Sequence, residues 1–74
     1  MTITIAIHYV INGNKNMQQG TFKTDYRAYQ EDANKEAARI AKDFTNRIRK
    51  QFNVAITIEK VIYNVEHDIT DLVK

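Results

Sequence analysis

The chain has 74 residues, a formal net charge of +2, and no cysteine, proline or tryptophan. Its length predicts one domain over residues 1–74, and the absence of cysteine excludes disulfides, thiolate metal sites and cysteine nucleophiles. The small positive charge does not by itself indicate a nucleic-acid partner.

The same composition bears on where the protein works. Small secreted domains usually depend on disulfides, the first five residues do not resemble a signal peptide, and no apolar run reaches the roughly 20 residues of a membrane span. We therefore expect a cytoplasmic protein with no membrane partner.

Two strands joined by a turn are predicted at the start of the chain. Apolar and polar residues alternate over residues 2–12 with many β-branched side chains, which is typical of a half-buried strand. Residues 12–16 are turn-prone, and a second strand is expected over residues 17–26.

The register of this hairpin is predicted from the inward-facing residues. If each inward residue meets another, Ile7 lies opposite Phe22, and Gly20 lies opposite Tyr9, whose ring covers the bare backbone. His8 then lies opposite Thr21 on the outer face.

One long helix is expected next. Apolar residues recur every three or four positions up to Phe52, which forms one apolar stripe at helical period. The helix begins either at Tyr26, with Asp25 as its N-cap, or near Gln30, and it ends at about residue 52. Carboxylates such as Asp32 and Glu36 are expected on its solvated face.

A third strand is predicted over residues 54–66, with a β-bulge near Glu59 and Lys60 where the alternation changes phase. A short turn over residues 69–73 follows, capped by Asp68, and it either closes the core or forms a contact surface. The fold class is α+β: ββαβ, with a three-stranded antiparallel sheet in the order 2-1-3 and one long helix packed on one face.

No pattern in the sequence indicates catalysis or a bound cofactor. Serine and cysteine are absent, the two glycines do not form a phosphate loop, and the sequence gives no pattern that brings His8 or His67 together with other reactive groups. We therefore predict no catalytic residue, no metal site and no cofactor.

The outward face of the helix carries the strongest functional feature. Arg39, Lys42, Arg49 and Lys50 are candidate nucleic-acid contacts, because bases in a stripe can lie along phosphates. A solvated helix face explains the same residues, since late bases suit the helix dipole and Asp43 precedes Arg47 by four positions.

Self-association is expected through the uncovered face of the sheet. The outward residues Thr4, Ala6, His8 and Val10 are small or β-branched, so this flat face has little defence against pairing with a second copy. The partner is therefore another protein or a second copy of this chain.

These features favour a small non-enzymatic protein-interaction domain. Frequent isoleucine, asparagine and lysine are typical of an AT-rich bacterial or phage gene, which favours a phage or mobile-element accessory protein. A nucleic-acid-binding protein that uses the basic helix face is the first alternative, and an enzyme with its site at a dimer interface is the second.

Overall fold

The computed structural model describes residues 1–73, which form a four-stranded antiparallel sheet with helices packed against one face. The elements in chain order are β1 (Thr2–Ile11), β2 (Asn14–Lys23), α1 (Tyr26–Glu31), α2 (Ala33–Gln51), β3 (Thr57–Tyr63), β4 (His67–Asp68) and α3 (Thr70–Val73). The sheet order is β2-β1-β3-β4. The predicted α+β class and the order 2-1-3 are confirmed. The strand count of three is wrong, because the chain turns back after Tyr63 and adds the two-residue strand β4.

The register of the β1–β2 hairpin differs from the prediction by four residues. Ile3 lies opposite Phe22 and Ile7 lies opposite Gln18, because the turn is a tight two-residue turn at Asn12-Gly13. Both turn residues have positive φ, 52° and 78°, as a type I′ hairpin turn requires. A shift of four preserves the alternation, so every side chain keeps its predicted face.

Gly20 lies opposite Ile5, and the predicted cover by Tyr9 is wrong. A Cβ atom at this position would lie 2.9 Å from Cζ of Phe22 and 3.5 Å from Cζ of Phe44. The bare backbone of Gly20 therefore makes room for the Phe22 ring, which packs on Phe44 with ring centroids 4.9 Å apart.

The predicted single helix is interrupted at Asp32. This residue is extended, with φ −158° and ψ 95°, and its side chain caps α2 by accepting a hydrogen bond from the backbone N–H of Lys35 at 3.1 Å. Asp25 caps α1 by accepting from the N–H of Arg27 at 2.9 Å, which agrees with the first of the two predicted helix starts. Two aspartate caps seven residues apart thus favour two helices instead of one.

The predicted bulge in β3 is confirmed. His8 pairs with Lys60 and Tyr9 pairs with Ile58, so Glu59 is the extra residue. The inward positions change phase there, from Ile58 to Val61. After β3, the turn into β4 places Asn64 and Val65 at positive φ, 50° and 75°.

The core lies between the sheet and α2. Its buried residues include Ile5, Ile7, Ala37, Ile40, Ile48 and Ile56, and Phe44 is half-buried against them. Ile69 is also buried in this core, and Asp68 caps the last turn by accepting from the N–H of Thr70 at 2.9 Å. The tail therefore closes the core on the helix side and, within residues 1–73, leaves the other sheet face open.

No helix in residues 1–73 has both the length and the apolar character needed to cross a membrane.

Candidate functional site

Arg39, the first of the predicted nucleic-acid contacts, is engaged within the chain. Its Nε lies 2.7 Å from Oε1 of Glu36, and its side chain is 61% exposed. Glu36 was expected on the solvated face, but it is buried at 5% exposure and also accepts a hydrogen bond from Oγ1 of Thr24 at 2.7 Å. The hydrogen bonds from Arg39 and Thr24 lower the pKa of Glu36 to about 2, against the opposing effect of burial. The guanidinium group of Arg39 is thus held in a structural ion pair with Glu36.

The other three predicted contacts are exposed and form no ion pair within residues 1–73. Lys42 lies in the middle of α2, whereas Arg49 and Lys50 lie in its last turn. The predicted pairing of Asp43 with Arg47 is not formed either. The four predicted contacts therefore differ in their surroundings. Arg39 is held in an ion pair, Lys42 lies by itself in the middle of α2, and Arg49 and Lys50 lie together in its last turn.

The C-terminal end of α2 packs against the turn end of the β1–β2 hairpin. Nε2 of Gln18 donates to Oε1 of Gln51 at 3.1 Å, and the rings of Tyr9 and Phe52 lie 6.1 Å apart between centroids. Residues 9–18 and 46–58, far apart in the sequence, thus form one end of the molecule.

This end, called the basic end below, carries four bases and no acid: Lys15, Arg47, Arg49 and Lys50. The rest of the sequence carries seven bases and nine acids, so the small net charge conceals a positive end and a negative remainder. The three bases of α2 spread over about 160° of its circumference, at 3.6 residues per turn. The basic end also exposes a set of side-chain amides: Asn12, Asn14, Asn16, Asn46, Gln51 and Asn53.

Lys15 and Arg47 were not among the contacts predicted from the sequence. The sequence does contain a feature that points to these two residues, because the segments 1–24 and 44–58 around them contain no aspartate or glutamate. The meaning of that signal depends on the fold, since only the packing of the hairpin against α2 brings the two acid-free segments together.

The open face of the sheet carries the residues predicted for self-association. Thr4, Ala6, His8 and Val10 alternate along the central strand β1 and are half-buried by its neighbours. His8 lies between Met17 of β2 and Lys60 of β3, so its predicted position opposite Thr21 is wrong.

Lysines surround these residues on the same face. The outward positions of the adjacent strands include Lys15 and Lys23 of β2 and Lys60 of β3. Among the outward-facing residue pairs of the described strands, the acidic residue is Asp68 of the edge strand β4, which lies opposite Ile62. The open face is therefore mildly basic as well as flat.

Within residues 1–73, no group of three histidine, aspartate or glutamate side chains is placed to hold a metal ion. His67 stacks on Tyr63 with ring centroids 4.7 Å apart, and the Tyr63 hydroxyl donates to Oδ1 of Asn34 at 2.6 Å. These contacts fasten β4 and the start of α2 to the sheet.

No family model, curated protein or solved structure matches the chain.

Proposed function

We propose that this chain is a non-enzymatic nucleic-acid-binding domain that contacts phosphates with its basic end. The observation that carries the proposal is the location of Lys15, Arg47, Arg49 and Lys50 at one end of the molecule, in two segments that contain no acid. Nucleic acid supplies the dense negative charge that such a surface attracts.

The surrounding side chains suit the same partner. Asparagine and glutamine amides donate hydrogen bonds to phosphate and sugar oxygens, and the exposed amides of the basic end lie beside its four bases. The helix dipole favours bases in the last turn of α2, but it accounts neither for Lys15 on the hairpin nor for the lack of acids in both segments. Both layers of the fold contribute charge to this end of the molecule.

This proposal reverses the order of the interpretations drawn from the sequence. The protein-interaction domain was favoured there because the small chain shows no catalytic or cofactor pattern and leaves a sheet face uncovered. The charge asymmetry becomes evident when the fold brings the two acid-free segments together. Action on nucleic acid agrees with a cytoplasmic location and with an accessory role for a phage or mobile element.

The test compares two double variants with the same change of charge. Arg49→Gln/Lys50→Gln removes two bases from the basic end, whereas Arg27→Gln/Lys35→Gln removes two exposed bases from α1 and the first turn of α2. In fluorescence anisotropy with a labelled nucleic acid at about 0.1 M salt, we expect the first variant to bind about tenfold or more weakly. The control variant should bind within a few-fold of the unmodified protein.

Two results would overturn the proposal. The first is no binding of duplex or single-stranded DNA or RNA at low salt. The second is an equal loss of affinity in both variants, which would show that total charge, and not the basic end, controls binding. Circular dichroism of each variant confirms that the fold is retained.

Self-association through the sheet is a second candidate function, and one asymmetry of the sheet favours it. The β3 edge is occupied, because the N–H of Ile69 donates to the carbonyl of Val61 at 2.9 Å and the N–H of Val61 donates to Oγ1 of Thr70. The ten-residue β2 is the opposite edge strand and, in the described chain, has a neighbour on one side alone. A free edge beside a flat face invites a second copy of the chain.

A further inference from the structure

The basic end exposes no aromatic ring in the part of the chain that the structure describes. Tyr9 is 3% exposed, and Phe52 is half-buried against it. The large apolar side chains that are exposed here are Met17 and Val54, and the exposed aromatic residue Tyr26 belongs to α1 at the other end. Proteins that bind single strands hold the bases by stacking them on exposed rings, and this surface offers no such platform.

The adjoining open face has the same property. Its outward positions on β1 and β2 are occupied by threonine, alanine, valine, lysine, glutamine, methionine and the imidazole of His8. Sheets that recognise single-stranded RNA present paired aromatic rings on this type of face. The unstacked bases of a single strand would therefore gain little from either surface, which leaves phosphates as the groups to be recognised.

Phosphate recognition alone favours a double helix. A duplex carries one negative charge per about 1.7 Å of its axis, and each phosphate contact releases about 0.9 counterion from B-DNA but about 0.7 from a single strand. If all four basic side chains contact phosphates, the logarithm of the binding constant should fall with the logarithm of the salt concentration. The slope should be about −3.6 for a duplex and about −2.8 for a single strand.

The basic residues of this end come from both layers of the fold. Lys15 lies at an outward position of β2, and Arg47, Arg49 and Lys50 lie on α2. A duplex carries phosphates on two strands, separated by grooves about 6 Å and 12 Å wide, so it can offer phosphates to basic residues of more than one layer.

We infer that the ligand of the basic end is duplex nucleic acid, bound through its phosphates without sequence preference and in preference to single strands. This inference rests on the proposed function and specifies its partner.

The experiment measures affinity for a 20-base-pair DNA duplex and for a 20-nucleotide oligothymidine by anisotropy between about 50 and 200 mM salt. We expect the duplex to bind several-fold more tightly, and a second duplex of unrelated sequence to bind within about twofold of the first. The duplex slope should be near −3.6 and should decrease in magnitude by about 2 in Arg49→Gln/Lys50→Gln.

A single substitution tests the participation of the sheet layer. Lys15→Gln should weaken duplex binding several-fold, because Lys15 is expected to contact a phosphate, whereas Lys23→Gln at the far end of β2 should leave it nearly unchanged. Equal effects of the two substitutions would contradict a site shared between the layers.

The outcomes separate this inference from the proposed function. Oligothymidine bound as tightly as the duplex, with the basic-end variant still defective, would overturn duplex preference and leave nucleic-acid binding intact. No binding of either probe at low salt would overturn both, and so would binding with a salt slope near zero.

Discussion

Asn64 hydrogen-bonds to both backbone groups of Thr4, a residue 60 positions earlier in the chain. The N–H of Asn64 donates to the Thr4 carbonyl at 2.8 Å, and the N–H of Thr4 donates to Oδ1 of Asn64 at 3.1 Å. The side chain thus continues the β1–β3 ladder one step beyond Tyr63, although Asn64 itself has left the strand at φ 50°. Its Nδ2 also donates to the Tyr29 hydroxyl at 3.3 Å and so connects α1 to the sheet.

Two substitutions at Asn64 distinguish the contribution of its side-chain hydrogen bonds from that of its left-handed backbone conformation. Asn64→Gly removes the side chain but adopts a positive φ without strain. Asn64→Ala removes the hydrogen bonds and is also strained at positive φ. Both should lower the free energy of unfolding, and the alanine variant should be at least about 1 kcal/mol less stable than the glycine variant. Chemical denaturation measures the difference, and equal stabilities would contradict the left-handed conformation at Asn64.

Glu36 should make the protein sensitive to acid. Its pKa is lowered from 4.5 to about 2 by hydrogen bonds from Arg39 and Thr24, so the folded state binds this proton less readily than the unfolded chain. The stabilisation from the ionised carboxylate is complete above about pH 4.5 and is lost as the pH falls through about 2. Denaturation measured between pH 2 and pH 7 should show this decline.

Replacing Glu36 by glutamine identifies the source of that decline. Glu36→Gln should be less stable at pH 7, because a neutral amide loses the ion pair with Arg39, and its stability should depend less on pH between 4.5 and 2. Glu31→Gln removes an exposed carboxylate from the end of α1 and serves as the control. If the two variants have the same pH profile, Glu36 does not carry the effect.

Replacing Thr45 by valine should stabilise the protein. Its Oγ1 is buried without a hydrogen-bond partner in the described chain, and the residue is 3% exposed. Thr45→Val keeps the shape and removes the unsatisfied hydroxyl, so we expect a gain of about 1 kcal/mol, or about 4–8 °C in Tm. The control Thr24→Val removes a hydroxyl that donates to Glu36 and should destabilise the protein. The same sign of change in both variants would contradict the assignment.

Self-association through the open face should respond to charge. If the protein dimerises there, Ala6→Lys should weaken the dimer, because it adds a lysine to a face that already holds Lys15, Lys23 and Lys60. Ala55→Lys, at an exposed alanine outside the strands, should have no effect. Sedimentation equilibrium over a hundredfold range of concentration measures both. A mass of one chain throughout would exclude the dimer, and a dimer that persists in Ala6→Lys would exclude this face.

Local patterns in the sequence determined the faces of the elements. Alternation along β1 identifies the side chains that point inward, and the helical stripe does the same for α2, because each pattern depends only on the repeat of its own element. Capping is equally local, so the position of Asp25 was sufficient to make it the N-cap of one of the two predicted helix starts. The bulge at Glu59 was visible as a change in the phase of the alternation.

Only the tertiary structure decided how those elements meet. A hairpin shifted by four residues keeps every side chain on the same face, so alternation could not distinguish the predicted register from the observed one. The burial of Glu36 depends on Thr24, and the fourth strand depends on contacts made after the Asn64 turn. The basic end also depends on the tertiary structure. Each of the two segments without acids carries little charge by itself, and the contact between Gln18 and Gln51 brings them to the same end of the molecule. Their positive charges add to one local potential only because the fold places them near each other.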